Sequence, residues 1–371
     1  MGGDPEDAPQ GYEMVVTVTN LNDSGAGSLR AALALTHPRI IRFAVSGTIE
    51  LQSIIGPESG RVTVEGQTAP GGGICTKGFG WHINCDDVSI QHIRIRPGAN
   101  ANPSNNDGVF INQAARRVVL DHCSLSWAQD ENLSIYGQDI TIQWCIISEA
   151  LANSGHPDGE HSKGAFTAYF ADRVSFHHNL FAHNQDRNPY IKLGRSDIIN
   201  NVLYNGGNPA LCEPMDGDIQ VNFIKNWQKS GVNTFYGKDD ASMRLMHNFW
   251  PHTLQVYVEG NIGPLRPNDT LAENLAIYEN EWLYLVGTRF PFIGSKPVTE
   301  TDAVTAKTQV LENAGATLPK RDAVDARIVA DVDAGTGTII DDPAEVGGWP
   351  DLTAMTPDFL PSPAPGWNPA D

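Results

Sequence analysis

The chain has 371 residues, of which 44 are Asp or Glu and 25 are Lys or Arg, so its formal charge is −19. This charge excludes nucleic acid as a main partner, because phosphate binding needs a basic surface. The sequence lacks a run of about 18–20 apolar residues, the length needed to span a bilayer, so we expect no membrane partner. The 36 Gly and 24 Pro residues predict many turns and hence many short strands.

The N-terminal part of the chain predicts a cap rather than a targeting segment. Residues 1–7 have neither the basic region nor the apolar region of a signal peptide. Residues 14–37 are predicted to form a strand and a short capping helix, with Ser28 as the N-cap and an end before Pro38. A cap is needed because the end of a stack of strands exposes unpaired backbone and apolar core.

A repeat of about 22 residues dominates residues 38–263. Six short alternating strands each end in Cys or Asn, at Cys123, Cys145, Asn179, Asn201, Asn226 and Asn248. Their spacings of 22, 34, 22, 25 and 22 residues are shared by six apolar residues within the strands: Leu120, Ile142, Phe176, Ile198, Phe223 and Leu245. This period is typical of a solenoid, and we predict an all-β fold, a right-handed single-stranded parallel β-helix.

The residues at the strand ends predict a ladder in which like side chains stack from coil to coil. Asn suits such a turn, because it tolerates left-handed backbone and can bond its neighbour. Cys123 and Cys145 lie one coil apart in this ladder. We expect stacked thiols, because free Cys is a common buried residue, although the spacing also allows a disulfide.

The repeat fades near residue 263, and residues 264–371 are predicted to form an extension packed along the β-helix. Apolar residues recur on one helical face in 301–314, which stops at Gly315, and again in 322–332. These segments predict short helices. We therefore expect a single domain, residues 1–371, rather than two functional units.

Four charged residues follow the same repeat and predict a functional face. They are 23, 33 and 24 residues apart, close to the coil spacing: Asp107, Asp130, Lys163 and Arg187. They should therefore lie on one sheet of four consecutive coils, with Ser134 and Lys192 beside them. The segment 163–195 holds five bases and two acids, so this face is locally basic in an acidic chain.

Adjacent carboxylates in this column indicate a cation site. Asp107 and Asp130 on neighbouring coils repel each other, and a bound cation would relieve the repulsion. Oxygen ligands favour Ca²⁺ over Zn²⁺, and Glu131 and Asn132 are candidates to complete the shell. A solvated charged face is the alternative interpretation.

A loop inserted in the repeat, residues 150–161, adjoins Lys163 and is expected to wall the cleft, where loops commonly set selectivity. It contains His156 and His161. A metal cluster that includes these histidines is conceivable, but we interpret them as turn or surface residues.

Two motifs resemble the pectate lyases of the first polysaccharide lyase family, bacterial members in particular. Residues 118–122 (VVLDH) resemble the WIDH-type strand of that family, and residues 187–192 (RNPYIK) resemble its RxPxxR motif. The likeness extends over nearly the whole chain. It implies a monomeric enzyme, secreted or extracytoplasmic, whose substrate is polygalacturonate (pectin).

The resemblance also implies a reaction and its residues. Pectate lyases cleave α-1,4-polygalacturonate by Ca²⁺-dependent β-elimination and release 4,5-unsaturated oligogalacturonides. Arg187 would be the base that removes the C5 proton. Lys163 and Lys192 would act with it by holding substrate carboxylates, and Arg195 and Tyr190 are further substrate-binding candidates, the latter for stacking on a sugar ring.

The metal ligands implied by the resemblance are Asp107, Asp130 and Glu131. Ser134 stands where the family often has a second acid, so either Glu131 or Ser134 completes the Ca²⁺ site. Lys192 stands where the family usually has Arg, which gives up bidentate recognition of a carboxylate.

Three alternative functions remain open at this point. A galacturonan hydrolase needs paired carboxylates, and the available pairs, Asp86–Asp87 and Asp239–Asp240, fall outside the charged column. A non-catalytic carbohydrate-binding β-helix would bind the polymer without turnover. A pectin lyase acting on methyl-esterified polymer would dispense with Ca²⁺, which the Asp107 and Asp130 pair argues against.

Overall fold

The computed structural model describes residues 14–100, 106–234, 241–291, 293 and 297–353. Its strands form three sheets, and neighbouring strands within each sheet are parallel. From Ile74–Lys77 to Leu254–Glu259, consecutive strands pass from one sheet to the next, so each full turn of this part of the chain adds a strand to each sheet. The described residues therefore form a parallel β-helix, as the repeat predicted.

The ten-stranded sheet contains Met14–Val18, Arg39–Phe43, Val62–Glu65, Val88–Gln91, Arg116–Asp121, Gln138–Gln143, Asp172–His177, Gly194–Ile199, Ile219–Ile224 and Leu254–Glu259. The eight-stranded sheet contains Gly47–Glu50, Ile74–Lys77, Ile93–Ile95, Ser124–Ser126, Ile146–Ser148, Leu180–Ala182, Val202–Tyr204 and Trp227–Lys229. The seven-stranded sheet contains Trp81–Ile83, Val109–Ile111, Glu131–Ile135, Lys163–Thr167, Tyr190–Ile191, Ala210–Cys212 and Met243–Leu245.

Short helices cap and flank the sheets. The α-helices of the described residues are α1 (Leu29–Leu33), α2 (Ala303–Asn313) and α3 (Ala323–Ala334). Four 3₁₀-helices are found at Gly66–Thr68, Glu273–Ala276, Glu279–Tyr284 and Pro343–Val346. In this part of the chain, a helix both long and apolar enough to cross a bilayer is not found. The predicted N-cap of α1 is confirmed, because the Ser28 side chain accepts a hydrogen bond from the Ala31 amide.

The apolar residues of the repeat fill the interior of the coil. Five of the predicted core residues share one column of the ten-stranded sheet and are fully buried: Leu120, Ile142, Phe176, Ile198 and Phe223. Alternation along a strand sends every second side chain inward, and burial of each large apolar side chain contributes about 1.5–3 kcal/mol.

The last member of the predicted column is wrong. Phe223 pairs with Val258, whereas Leu245 pairs with Cys212 in the seven-stranded sheet. The coil after Phe223 is longer than its predecessors, so a spacing of 22 residues reaches the next sheet of that coil instead of completing the turn. The turn ladder accordingly continues at Asn261 and not at Asn248.

The asparagine ladder is otherwise confirmed. The Asn201 side chain accepts a hydrogen bond from the Asn179 amide (2.9 Å), and the Asn226 side chain accepts one from the Asn201 amide (2.9 Å). Cys123 and Cys145 continue the ladder, with the Cys123 amide 3.4 Å from the Cys145 sulfur. All five cysteines are free thiols, as expected for the stacked pair.

Residues beyond 263 first add a partial coil. Isolated bridges join Trp227 to Ile262, Met243 to Ile277 and Val256 to Leu285, one bridge on each sheet. The stack therefore extends about 20 residues beyond the predicted boundary, because single bridges carry no repeat signal in the sequence.

The helices α2 and α3 then pack on the eight-stranded sheet. Val310, Ile328 and Val332 lie in one apolar cluster with Leu180 and Val202 of that sheet. The contact is also ionic, since the fully buried guanidinium of Arg96 pairs with Asp322 (2.5 Å) and Asp325 (2.7 Å) at the start of α3. This extension covers one sheet and leaves the seven-stranded sheet as the face that carries the charged column.

Candidate active site

The four charged residues of the predicted column lie at or just before the N-terminal ends of four strands in the seven-stranded sheet. Asp107 lies two residues before a strand, Asp130 directly precedes the next, Lys163 begins one, and Arg187 lies three residues before another. Lys163 pairs with Glu131 on the preceding coil and with Asp186 on the following coil. The column on four consecutive coils is therefore confirmed.

Three carboxylates gather within this column. Asp107, Asp130 and Glu131 each offer an oxygen atom, and these atoms lie within 4.8 Å of one another. Asp107 also accepts a hydrogen bond from the Glu131 amide (3.1 Å). Burial and the neighbouring Asp130 raise the pKa of the Asp107 carboxyl well above its usual range. A bound cation would relieve this repulsion, and a donor set of three carboxylates fits Ca²⁺.

Glu131 is the third carboxylate of this group, and Ser134 lies beside it. The Ser134 hydroxyl donates a hydrogen bond to Glu131 Oε2 (3.2 Å) and so orients that carboxylate. The other oxygen of Glu131 forms an ion pair with the guanidinium of Arg187. Glu131 thus joins the carboxylate group to the arginine.

The surroundings of Arg187 shift its pKa in opposite directions. Burial lowers the pKa of Arg187, although the nearby Asp130, Tyr190 and Asp107 act to raise it. Its guanidinium carbon lies 4.5 Å from the ring centre of Phe166. Among the described residues, its buried Nε has no hydrogen-bond partner. The guanidinium is therefore partly buried and not saturated by the acceptors of the described residues.

The turn that carries Arg187 is held closely against its neighbours. A side chain at Gly164 would place its Cβ 2.5 Å from the Arg187 carbonyl oxygen, so only glycine allows this approach. A buried amide network supports the same turn, since Asn132 donates to Asn184 (3.2 Å) and Asn184 donates to Asn188 (3.1 Å). Sequence reasoning missed Gly164 and Asn184. Their closeness in sequence to Lys163 and Arg187 was the feature that could have identified them.

The two lysines contact residues that neighbour Arg187. Lys163 Nζ is 3.3 Å from Asp186, and Lys192 Nζ is 3.5 Å from Asp216. Lys192 Nζ also lies over the rings of Phe166 (5.4 Å) and Tyr169 (5.7 Å). Lys192 therefore shares the ring of Phe166 with Arg187, and Lys163 contacts Asp186, the residue that precedes Arg187.

Two substrate-binding candidates are placed differently from expectation. Arg195 lies on the ten-stranded sheet, where its exposed guanidinium pairs with Asp172 (2.6 Å), so the fold does not bring it to the carboxylate group. Tyr190 lies near Arg187 but is only 9% exposed, and its hydroxyl donates to Glu213 (2.6 Å). Its ring packs beside Phe166 and offers little open face to a sugar.

An exposed aromatic residue that the sequence reasoning did not single out is better placed. Tyr169 is 52% exposed, and its ring centre is 4.7 Å from that of Tyr136. It follows the strand Lys163–Thr167 and faces Lys192. In the sequence, two adjacent aromatic residues in a turn, Tyr169 and Phe170, could have indicated an exposed aromatic side chain here.

The interpretation of His156 and His161 as turn or surface residues is wrong. They are 9% and 6% exposed, and both point at Asp130. Burial and the neighbouring His161 lower the pKa of His156. The inserted loop therefore supplies side chains to the carboxylate group, which a repeat-based alignment cannot reveal because the loop lies outside the repeat.

The carboxylate pairs considered for hydrolysis do not form a second acidic site in the described residues. Asp86 and Asp87 both pair with the exposed Arg117 on the ten-stranded sheet. Asp239 and Asp240 lie outside the described residues.

Known proteins resemble this chain in sequence and in fold, although no protein-family profile matches it. The probable pectate lyases C of Aspergillus terreus and Aspergillus oryzae are each 36% identical to it, over 92% of this chain and 78% of the relative. A solved Bacillus pectate lyase in complex with trigalacturonate has a TM-score of 0.58 at 14% identity, covering 84% of this chain and 96% of that chain. A pectate lyase bound to hexasaccharide has a TM-score of 0.57 at 14% identity, covering 81% and 92%. At such identities the structures show the shared fold alone.

Proposed function

This chain belongs to the pectate lyase family, and from that premise we propose that it cleaves α-1,4-polygalacturonate by Ca²⁺-dependent β-elimination. The fold and the site are consistent with this reaction, because the seven-stranded sheet of the β-helix carries a lysine and arginine cluster beside three grouped carboxylates. A polymeric substrate also requires an extracytoplasmic location, and we propose that the enzyme acts there as a monomer.

The reaction removes the C5 proton of a galacturonate unit. The electron pair of the C5–H bond forms the C4=C5 double bond, and the bond from C4 to the glycosidic oxygen breaks. This leaves an unsaturated sugar at the new non-reducing end, while the glycosidic oxygen stays on C1 of the neighbouring sugar and takes a proton from water to form the new reducing end. The C5 proton is acidic only when the neighbouring carboxylate is neutralised.

Asp107, Asp130 and Glu131 would hold the cation, and Ca²⁺ bound there supplies neutralisation of the substrate carboxylate. The donor set supports this assignment, because three carboxylate oxygens within 4.8 Å leave further positions for substrate and water oxygens.

Arg187 is proposed as the base that accepts the C5 proton. Its neutral form is the active one, so a lowered pKa favours the role, and burial lowers the pKa of Arg187. Lys163 and Lys192 are proposed to bind substrate carboxylates on either side of it. The exposed ring of Tyr169, instead of the buried ring of Tyr190, is proposed to stack on a sugar ring.

The observation that carries the proposal is the contact between a partly buried arginine and the carboxylate group. Removal of a general base costs about 10²- to 10⁴-fold in rate. Arg187→Ala should therefore lose at least about 100-fold in kcat on polygalacturonate while polymer binding is kept. Arg117→Ala, which removes an exposed arginine from the ten-stranded sheet, is the matched control and should keep the wild-type rate.

The same assay separates the alternative functions. Elimination gives a product that absorbs in the ultraviolet, and a chelator should abolish its formation. New reducing ends without ultraviolet absorbance would establish a hydrolase. Binding without either product would establish a carbohydrate-binding protein, and turnover of methyl-esterified polymer that persists in chelator would establish a pectin lyase.

A further inference from the structure

The inserted loop, residues 150–161, is fastened at its base beside the carboxylate group. The Leu151 amide donates to Ala128 and the Ala152 amide donates to Ile340, which ties the first residues to the β-helix and to the C-terminal extension. The His161 amide donates back to Ala152 (2.9 Å), so the loop closes on itself. The two ends of the loop are therefore held together, and the histidines project from a fixed base.

Both imidazoles of this loop face the same carboxylate. His161 Nε2 lies 2.9 Å from Asp130 Oδ1, which is a direct hydrogen-bond distance. His156 Nε2 lies 3.7 Å from Asp130 Oδ2, within reach of electrostatic attraction but beyond a direct hydrogen bond. The two rings stack, with centres 3.7 Å apart and planes inclined by 21°. His156 thus packs against the ring of His161 and also faces Asp130.

The hydrogen bonds decide between two roles for these histidines. The Asp158 amide donates to His156 Nδ1 (3.2 Å), so Nδ1 accepts and the proton of a neutral ring is on Nε2, the atom that faces Asp130. A transition metal would need the lone pair of Nε2, and the proton would then move to Nδ1 and oppose the Asp158 amide. At His161, Nε2 faces a carboxylate oxygen that can only accept, so the proton is on this nitrogen. Both rings therefore direct an N–H toward Asp130, which favours donors to this carboxylate over ligands of a second metal.

We propose that His161, supported by His156, is a positioning residue that fixes the Asp130 carboxylate for cation binding. This inference rests on the proposed Ca²⁺ site at Asp107, Asp130 and Glu131. An imidazole N–H that holds one oxygen of a ligating carboxylate restricts its rotation and leaves its other lone pairs directed at the ion. The donors also reduce the repulsion among the three carboxylates when no cation is bound.

The proposal makes the inserted loop part of the metal site. Removal of a partner that orients a metal ligand commonly costs about 10- to 100-fold in affinity. His161→Ala should therefore weaken Ca²⁺ binding by about 10- to 100-fold, and His156→Ala should have a smaller effect, because its Nε2 is farther from Asp130. His161→Gln keeps an N–H donor at a similar distance from the backbone and should restore most of the affinity.

The test is isothermal titration of the full chain with Ca²⁺ alone, without substrate. His252→Ala is the matched control, because His252 is a partly exposed histidine 4.0 Å from the carboxylate of Asp218, which has no place in the site. Thermal unfolding of the metal-free variants separates positioning from folding: the His161→Ala midpoint should stay near the wild-type value while the dissociation constant rises.

Each result decides the matter. Weaker Ca²⁺ binding in His161→Ala, with recovery in His161→Gln, supports the proposal. Wild-type affinity in both alanine variants overturns it, as does tight Zn²⁺ binding that is lost in those variants, since the histidines would then be ligands. Failure of the wild-type protein itself to bind Ca²⁺ would instead overturn the proposed metal site.

Discussion

Arg187 forms an ion pair with Glu131, although the two residues lie two coils apart on the seven-stranded sheet. The coil between them carries Lys163, which pairs with Glu131 in the strand register. One carboxylate therefore faces the proposed base, the proposed metal and a lysine. This arrangement links cation binding to the charge around Arg187, because a cation at Glu131 competes with the arginine for the same group.

Removal of single carboxylates should weaken cation binding. Asp107→Asn and Glu131→Gln should each raise the dissociation constant for Ca²⁺ by at least about tenfold, because affinity follows the number of charged ligands. The effect of Glu131→Gln should be the smaller of the two, since Glu131 already pairs with Arg187. Calorimetric titration measures both, and unchanged affinity in both variants would contradict the assignment. Glu50→Gln, an exposed partner of Lys77, is a suitable control.

Activity should increase toward alkaline pH. Arg187 acts as a base only when neutral, and at any pH below its pKa the neutral fraction rises about tenfold per pH unit. Burial lowers the pKa of Arg187, which moves this rise toward the working range but leaves its direction unchanged. Initial rates of ultraviolet-absorbing product at saturating Ca²⁺ measure the effect. A rate that is flat or falls with pH in this range would count against arginine as the base.

The exposed ring of Tyr169 should contribute to substrate binding. Tyr169→Ala should raise KM for polygalacturonate by about three- to tenfold, on the order of 1 kcal/mol of lost contact, with a small change in kcat. Tyr257→Ala, which removes a partly exposed tyrosine from the ten-stranded sheet, is the control and should keep the wild-type KM. Equal KM values for the two variants would show that Tyr169 does not contact the polymer.

The buried ion pairs at the start of α3 should dominate the stability of the extension. Arg96→Met leaves the carboxylates of Asp322 and Asp325 buried with one cation fewer, so the free energy of unfolding should fall by about 3–5 kcal/mol. Arg117→Met removes exposed pairs with Asp86 and Asp87 and should cost at most about 1 kcal/mol. Urea unfolding compares the two, and equal losses would contradict the role of burial.

Part of the site was predictable because a repeat converts sequence spacing into position. In a β-helix, residues one period apart lie about 4.8 Å apart on adjacent coils. The spacing of the four charged residues therefore predicts that they lie together: Asp107, Asp130, Lys163 and Arg187. The same reasoning gave a wrong position for Leu245. The coil there is longer, so a residue at the usual spacing lies on another sheet.

Other members of the site depend on elements that the repeat does not describe. His156 and His161 belong to an inserted loop whose path is set by backbone bonds to Ala128 and Ile340. Arg195 shares the basic segment with Arg187, yet the chain turns between them and sends Arg195 to the ten-stranded sheet. Tyr190 and Tyr169 differ in exposure, which follows from packing around Phe166.

The sequence by itself determined the β-helix, its asparagine ladder and the charged column, because each depends on a period that the chain repeats. Only the tertiary structure decided that Glu131 lies between the other carboxylates and Arg187, that two histidines face Asp130, and that Arg195 lies on another face. These relationships are set by side-chain directions and by the path of loops of unequal length. Neither property is encoded in spacing alone, since both depend on which surfaces pack together when the coil closes.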